Sequence, residues 1–445
     1  MTSFRTAEEI GRTELGPRPL PPLAAPPPPT TLSTVDTVLP NGLRLVAVRQ
    51  STVPMVELRL RVPFASDDPA HAARAEVLAA TVLTGTARRD RIAVDTELAL
   101  VGGELDAATD PERLSFGGNA LASGLGTLLD VLADALTSAA YRDDEVARER
   151  DRLAERIAMA RSQPGVIARE ALQRRRYGDH PFTREMPQAD DVAKVTPEHV
   201  RELHRAAVLP RGSVLVLVGD IDPARVVDQV GTALAGWSSP QVARELPPLP
   251  ELAGGDLLLV HRNAAVQSQI RLSAQAITRT DPRYPALQLA NLAFGGFFSS
   301  RLVENIREDK GYTYHARSYL EFTPSGATLL IDSDTASEVT AAALLEVRYE
   351  LGRIGLVPPT GSEVATVREY AIGSLLIGTA SQGGLASQLA ALVGLGLSAD
   401  WLVEHPTRLR EVTGEQIAEA ALEFFAPAKW TGVIVGDAEQ LGGLR

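Results

Sequence analysis

The sequence VLVLVGD, at residues 214–220, decides the fold because it returns as WTGVIVGD at residues 430–437. Each copy is a short apolar run that ends in Gly-Asp, which is typical of a buried strand entering a turn. A pattern that occurs twice in one chain indicates two related structural units. We therefore predict a duplicated fold.

Other segments repeat in the same order. An alternating apolar and charged run at residues 56–62 predicts a strand with one buried face, and residues 268–272 echo it. An apolar helix predicted at residues 72–83 is echoed at residues 285–294. Because strands and helices alternate unevenly along the chain, the expected fold class is α+β.

The repeat sets the predicted domain organisation. Residues 1–35 are rich in proline and predict a flexible N-terminal arm, because this composition favours extended polyproline conformations. Residues 36–240 and 256–445 are predicted to form two domains, and residues 241–255 have the composition of a linker. A chain of 445 residues is long enough for more than one domain.

The composition is that of an ordinary globular protein, with 44% apolar and 22% charged residues. The net charge of −12 disfavours nucleic acid as a partner, and the basic run Arg174–Arg176, close to Asp179, is expected to be a solvated helix end. No apolar stretch reaches the ~18 residues of a membrane span, and the N-terminus lacks a signal-peptide pattern. Since cysteine is also absent, we expect a cytoplasmic protein.

Several short motifs occur in a characteristic order along the chain. They are LPNGL at 39–43, LTGT at 83–86, GDHP at 178–181, VGDID at 218–222, and GFFSSRL at 296–302 followed by IRE at 306–308. Together they resemble the pitrilysin/insulinase family of zinc peptidases, the inverzincins, and specifically its processing-peptidase-like branch. The resemblance covers residues 36–445. It implies two homologous α/β-sandwich domains that form half of a clamshell, with two such chains enclosing a peptide chamber.

The zinc motif of this family is missing from the chain. Catalytic members place H-x-x-E-H on the helix that ends in the LTGT-like turn, because histidines four residues apart share one helix face and bind one zinc ion. The three matching positions are Glu76, Ala79 and Ala80. Alanine methyl groups neither bind zinc nor accept a proton, so we expect no metal in this chain and no hydrolysis by it alone.

One further zinc position is implied by the resemblance. The family's distal glutamate ligand corresponds to Glu149, for which a solvated helix residue is the alternative interpretation. A single carboxylate does not hold zinc. None of the seven histidines lies four residues from another, so the sequence offers no replacement pair on a helix.

The second half retains the residues that the resemblance assigns to substrate binding. In active members an arginine and a tyrosine of this half grip the substrate backbone, and they correspond to Arg307 and Tyr314, with Tyr312 as a rival for the phenol. A guanidinium donates to peptide carbonyls, and a phenol donates to a developing oxyanion. The alternative is an ion-paired arginine and a core tyrosine.

A strand of the first half is the other expected substrate contact. The resemblance identifies the strand containing Asp106, Ala107, Ala108 and Thr109 as an edge onto which an extended peptide adds. Unpaired backbone groups on such an edge bind peptides with little demand on their sequence.

These expectations favour a non-catalytic subunit of a heterodimeric zinc peptidase, whose homologous partner carries the zinc. The alternative is a catalytically inactive scaffold or peptide-binding subunit of a larger assembly. A hydrolase with different machinery ranks last, because the chain has neither G-x-S-x-G nor a thiol.

Overall fold

The structure is a computed structural model. It describes Thr6, Glu8, residues 32–324, residues 326–441 and Gly443. The expected Pro-rich arm lies almost entirely outside these residues. Regular structure begins at Ser33, ahead of the predicted domain boundary at residue 36, because Ser33–Val38 already forms a strand.

The first half forms a six-stranded sheet with the order β1-β2-β6-β3-β5-β4. Its strands are β1 Ser33–Val38, β2 Arg44–Arg49, β3 Met55–Pro63, β4 Glu104–Thr109, β5 Arg113–Leu121 and β6 Val214–Gly219. Strands β2 and β6 run parallel, and the other neighbours run antiparallel. The hairpin between β1 and β2 turns at Gly42, whose φ of 89° favours glycine.

The second half forms a five-stranded sheet with the order β7-β11-β8-β10-β9. Its strands are β7 Leu257–His261, β8 Gln267–Gln275, β9 His315–Thr323, β10 Gly326–Ala336 and β11 Thr431–Gly436. Strands β7 and β11 run parallel, as β2 and β6 do in the first sheet, and the other neighbours run antiparallel. Strand β8 therefore takes the place of β3, and β11 takes the place of β6. The predicted duplication and the α+β class are confirmed.

Helices cover both sheets. Those of the first half are α1 His71–Thr81, α2 Arg91–Leu100, α3 Leu125–Ser138, α4 Asp143–Ala160, α5 Pro164–Tyr177, α6 Ala189–Val192, α7 Pro197–Ala207 and α8 Pro223–Ala233. Those of the second half are α9 Tyr284–Asn291, α10 Arg301–Val303, α11 Thr340–Leu356, α12 Gly361–Gly378, α13 Gln382–Val393, α14 Trp401–Glu411 and α15 Gly414–Phe424. In the described residues no helix is both long and apolar enough to cross a bilayer.

Two helices cross from one half to the other. Helix α5 packs on β8 and β11 of the second sheet, and α13 packs on β3 and β6 of the first. Alternation along β6 turns Val216 and Val218 away from the first core, yet both are fully buried because α13 covers that face. On the other side Leu172 of α5 packs against Val433 of β11.

The basic run at the end of α5 differs from the expectation of a solvated helix end. Arg174 is exposed, but the Arg176 side chain is only 2% exposed and donates to Glu321 at 3.0 Å and to Thr328 at 3.0 Å. Both acceptors belong to the second sheet. Where α5 covers the second sheet, the side chains of Glu321 and Thr328 are shielded from water. Burial of Arg176 is favourable there because its guanidinium donates hydrogen bonds to them.

Candidate functional site

Helix α1 carries the three positions of the missing zinc motif. It is held on the first core by Val77 and Leu78, which are fully buried. Glu76 and Ala80 lie on the opposite, half-buried side, one helical turn apart. Helix α1 therefore has the geometry that a zinc helix needs, without the side chains.

A cavity of ≈ 410 Å³ opens beside this helix. Glu76 lines it together with Arg156 of α4 and Thr109, the last residue of β4. Burial raises the pKa of Glu76, and the opposing effect of the Arg156 guanidinium is smaller. One cavity is thus lined by one of the three motif positions, Glu76, by Arg156 and by the last residue of β4, Thr109.

The donor set at this place does not fit zinc. Of the three motif positions only Glu76, in place of the first histidine, has a side chain that can bind a metal, and the charge of Arg156, which lines the same cavity, would repel a metal ion. Three protein ligands are the usual minimum for a catalytic zinc ion. The described parts of the chain contain no group of three or more histidines or carboxylates placed to hold a metal.

Glu149 lies away from this cavity. Its carboxylate accepts a hydrogen bond of 2.8 Å from Arg91, and Arg152 lies 3.6 Å from it. Glu149 and Arg156 are both on α4, two turns or about 10 Å apart along one face. The residue that faces Glu76 is therefore Arg156, which sequence reasoning missed. The sequence did offer a signal for Arg156: it lies seven residues after Glu149, a spacing that puts both side chains on the same helix face.

Strand β4 has the position that the expected peptide edge requires. It is the last strand of the first sheet, so one side of its backbone has no partner strand among the described residues. The four predicted residues divide between two faces. Ala107 packs toward the first core and Thr109 reaches the Glu76 cavity, whereas Asp106 and Ala108 line a second cavity of ≈ 340 Å³ on the other face.

Asp106 is the charged member of this strand. Its carboxylate lies over Gly117 of β5, where an oxygen is 3.1 Å from the place that a Cβ would take. Burial raises the pKa of Asp106, against a smaller opposing effect of Arg59. The side chain therefore lines the sheet surface close to the crossing helix, whose Ser387 borders the same cavity.

Arg307 lies in the second half, on a π-helical segment, Glu304–Asp309, that continues α10. Such segments are rare and occur frequently at functional sites. The guanidinium of Arg307 stacks on the ring of Phe298 at 4.9 Å from its centroid and pairs with Glu308 at 3.2 Å. Phe298 is itself 60% exposed, so the stack faces solvent.

The start of α10 fixes the position of this segment. Arg301 is buried and bonds Glu363 through two nitrogens, at 2.6 and 3.0 Å. The Arg301 guanidinium lowers the pKa of Glu363 to about 2. This ion pair ties the helix that leads to Arg307 to the first turn of α12.

Tyr314 precedes the edge strand β9, and its side chain is 96% exposed. The adjoining Thr313 is buried and donates to the carbonyl of His315 at 2.9 Å, which holds the backbone beside Tyr314. Tyr312 instead packs against the second core. The two tyrosines therefore differ in exposure, since Tyr312 is half-buried and Tyr314 is almost fully exposed.

The candidate residues form two groups. Glu76, Arg156 and Thr109 share the cavity of the first half, and neither Arg307 nor Tyr314 lines it. The first group has one possible metal ligand, Glu76, whereas the second presents a guanidinium and a phenol outward.

Comparisons with known proteins agree with this architecture. The family model "Insulinase (Peptidase family M16)" matches residues 64–189, and "Peptidase M16 inactive domain" matches residues 194–369. An uncharacterized zinc protease of Streptomyces coelicolor is 27% identical over 79% of this chain and 79% of its own length. Another, of Mycobacterium tuberculosis, is 25% identical over 88% of this chain and 91% of its own.

Solved structures share the fold. A peptidase M16 inactive domain from Pseudomonas fluorescens superposes with a TM-score of 0.84 at 22% identity, covering 92% of this chain and 98% of that one. A protease from Helicobacter pylori gives 0.83 at 17% identity, covering 91% and 100%. With both halves matched by its models, the chain belongs to the insulinase family of peptidases, family M16, as a member without the zinc-binding histidines.

Proposed function

We propose that this chain is the non-catalytic subunit of a two-chain zinc peptidase of the cytoplasm. In this proposal it forms half of the clamshell around the peptide, and a homologous partner carries the zinc. The observation that carries the proposal is the exposure of Tyr314, whose phenol lies in solvent beside an edge strand although the surrounding backbone is well anchored. A side chain that is exposed on a rigid support is held in place to contact a ligand.

Arg307 supports the same proposal. Its stacking on Phe298 fixes the plane of the guanidinium and leaves its donors available to a peptide carbonyl. Its ion-pair partner, Glu308, is the next residue and half-exposed, so a substrate would compete with a weak interaction. Arg307 and Tyr314 would act at the partner's zinc site, where charge develops on the scissile carbonyl.

The edge strand β4 supplies the third part of the proposal. Peptide would add to Asp106, Ala107, Ala108 and Thr109 through backbone hydrogen bonds. Near this edge the Glu76 cavity supplies no hydrolytic group, so bound peptide would stay intact until the partner's site reaches it. The relatives in Streptomyces and Mycobacterium are named as zinc proteases, which favours a peptidase setting.

The test is reconstitution with a homologous chain from the same organism that carries an intact H-x-x-E-H. Cleavage of peptides from a casein digest is measured for each chain alone and for the mixture. We expect activity from the mixture, and Arg307→Ala or Tyr314→Phe in this chain to lower turnover about 10²-fold, as the loss of one oxyanion donor does.

Matched controls lie on α11. Arg348→Ala and Tyr349→Phe remove the same groups from exposed positions and should leave turnover unchanged. Wild-type turnover in Arg307→Ala and Tyr314→Phe would remove both residues from the site. A stable complex without any cleavage would favour the scaffold or peptide-binding alternative, and zinc-dependent cleavage by this chain alone would refute the proposal.

A further inference from the structure

Two arginines, Arg61 and Arg113, lie on the face of the first sheet that points away from its core. Arg61 of β3 is opposite Ser115 of β5 in the sheet register, and Arg113 is opposite Pro63, so the two arginines are diagonal neighbours on one face. Among the described residues, neither guanidinium forms an ion pair within 4.0 Å. Arg59, two residues earlier on β3, does pair, with Glu57 at 3.0 Å.

The electrostatic environment of Arg61 is unfavourable for a cation. Burial lowers the pKa of Arg61, the charge of Arg113 lowers it further, and Asp110 opposes them. Two guanidinium groups held close together repel each other, and the repulsion is stronger when water is partly excluded. Such an arrangement becomes favourable when an anion binds between the cations.

A cavity of ≈ 480 Å³ gives such an anion room. Arg61 and Arg113 form part of its wall with Arg244 of the linker, and the second half contributes Pro324 and Gly394. The wall also contains two carboxylates, Glu112 and Glu245. Arg244 already lies 3.5 Å from Asp67, so the groups available to a ligand are the two sheet arginines.

We propose that Arg61 and Arg113 bind an anionic group, a carboxylate or a phosphate, in the cavity where the two halves and the linker meet. Paired guanidinium forks recognise the oxygens of both groups in a bidentate manner. The site does not depend on the proposed partner.

The test uses the full chain alone and two probes. Inorganic phosphate and a hexaglutamate peptide are titrated calorimetrically at constant ionic strength, and Tm is measured in phosphate and in chloride of equal ionic strength. We expect at least one probe to bind and the same probe to raise Tm. Arg61→Gln and Arg113→Gln should each weaken binding about tenfold or more, which is the loss of one charge-assisted hydrogen bond.

Arg225→Gln is the matched control, because this arginine is exposed in the same half and lies outside the cavity. It should leave affinity unchanged. Binding of phosphate alone would assign the cavity to small free anions, and binding of hexaglutamate alone would assign it to acidic peptides. The proposal fails if neither probe binds, or if binding survives in the double variant Arg61→Gln/Arg113→Gln.

Discussion

The two crossing helices solve the same packing problem in different ways. Helix α5 brings a buried charge to the second sheet, where Arg176 bonds Glu321, Thr328 and its own neighbour Gln173. Helix α13 brings small residues to the first sheet. Gly383 lies over the Glu57 carboxylate, and a Cβ there would be 3.3 Å from its nearest oxygen.

This difference shows that two copies of one fold can keep the same arrangement of strands and helices while the residues that hold them change. The sheet order and the crossing are the same in both halves, whereas the contacts that hold each helix are not. The candidate site residues differ in the same manner, since the first half lacks the zinc-binding histidines and the second half exposes Arg307 and Tyr314. Architecture and chemistry therefore vary independently here. Each of four predictions tests one side of this comparison.

The largest effect should follow from restoring metal donors to α1. We expect the variant Glu76→His/Ala79→Glu/Ala80→His/Arg156→Glu to bind zinc with a Kd of about 1 μM or tighter, about 8 kcal/mol, because two histidines and a carboxylate then converge. The same variant with Arg156 retained should bind at least about tenfold more weakly because of the cation. Calorimetric zinc titration measures both.

Glu149→Gln in that background is the discriminating control. It should change zinc affinity less than twofold or so, because Glu149 is paired with Arg91 away from the cavity. If Glu149→Gln abolished zinc binding, Glu149 would be the third zinc ligand and the prediction for position 156 would be wrong.

Removing the charge of α5 should give the next largest effect. Arg176→Ala removes the guanidinium that donates to Glu321 and Thr328 at the interface of the halves. We expect the free energy of unfolding to fall by about 3–5 kcal/mol, as when one member of a buried pair is removed. Denaturant titration measures the change. Arg174→Ala, at an exposed position of the same helix, should stay within about 0.5 kcal/mol of wild type.

A third prediction compares a buried histidine in each half. His204 has partners for both ring nitrogens, Tyr141 at 2.7 Å and the Leu136 carbonyl at 3.0 Å. His405 has one, Gln288 at 2.7 Å, and its Nδ1 is buried without a partner in the described structure. Burial, assisted by the charges of Arg408 and Arg279, lowers the pKa of His405 to about 3.

Acid should therefore weaken the second half. Above the unfolded-state pKa of about 6.5 both states are neutral, and between about 6.5 and 3 only the unfolded chain takes up the proton. Stability is thus lost as pH falls, by about 1.4 kcal/mol for each pH unit at most. Denaturant titrations from pH 7 to pH 5 should show this slope reduced in His405→Phe. The exposed control His315→Phe should keep it, and an unchanged slope in His405→Phe would contradict the prediction.

The last prediction compares two helical glycines, Gly384 of α13 and Gly373 of α12. A Cβ on Gly384 would lie 2.1 Å from the Gly378 carbonyl oxygen, so Gly384→Ala should lower the free energy of unfolding by about 1–3 kcal/mol. Gly373, within α12, has open space at the same position, and Gly373→Ala should raise stability by about 0.5–1 kcal/mol. Equal effects at the two sites would mean that α13 does not pack closely here.

Much of the fold could be predicted because the spacing of apolar residues along the chain indicates where strands and helices lie. The repeat of residues 214–220 and 430–437 indicated the duplication, and β6 and β11 hold equivalent places in the two sheets. The strand Ser33–Val38 was not predicted, because the Pro-rich run before it hides its short pattern. Partners across space were harder to predict, since a run such as Arg174–Arg176 looks the same whether it meets water or another sheet.

The candidate site shows the same limit. The empty positions Glu76, Ala79 and Ala80 could be found from motif spacing alone. Which residue of α4 faces them depends on the rotation and position of that helix, and neither is encoded in a single local pattern. Sequence reasoning therefore chose Glu149, and only the packed helices bring Arg156 to the cavity.

The crossing of α13 also has a consequence for synthesis on the ribosome. Strand β6 is the last strand of the first sheet to be synthesised, and it ends at Gly219. The helix that covers its residues Val216 and Val218 is not complete until Val393. At 5–20 residues per second, this apolar face stays open for on the order of ten seconds or more in the growing chain. The nascent first half is thus a natural client for chaperones, and its protection comes from residues translated long afterwards.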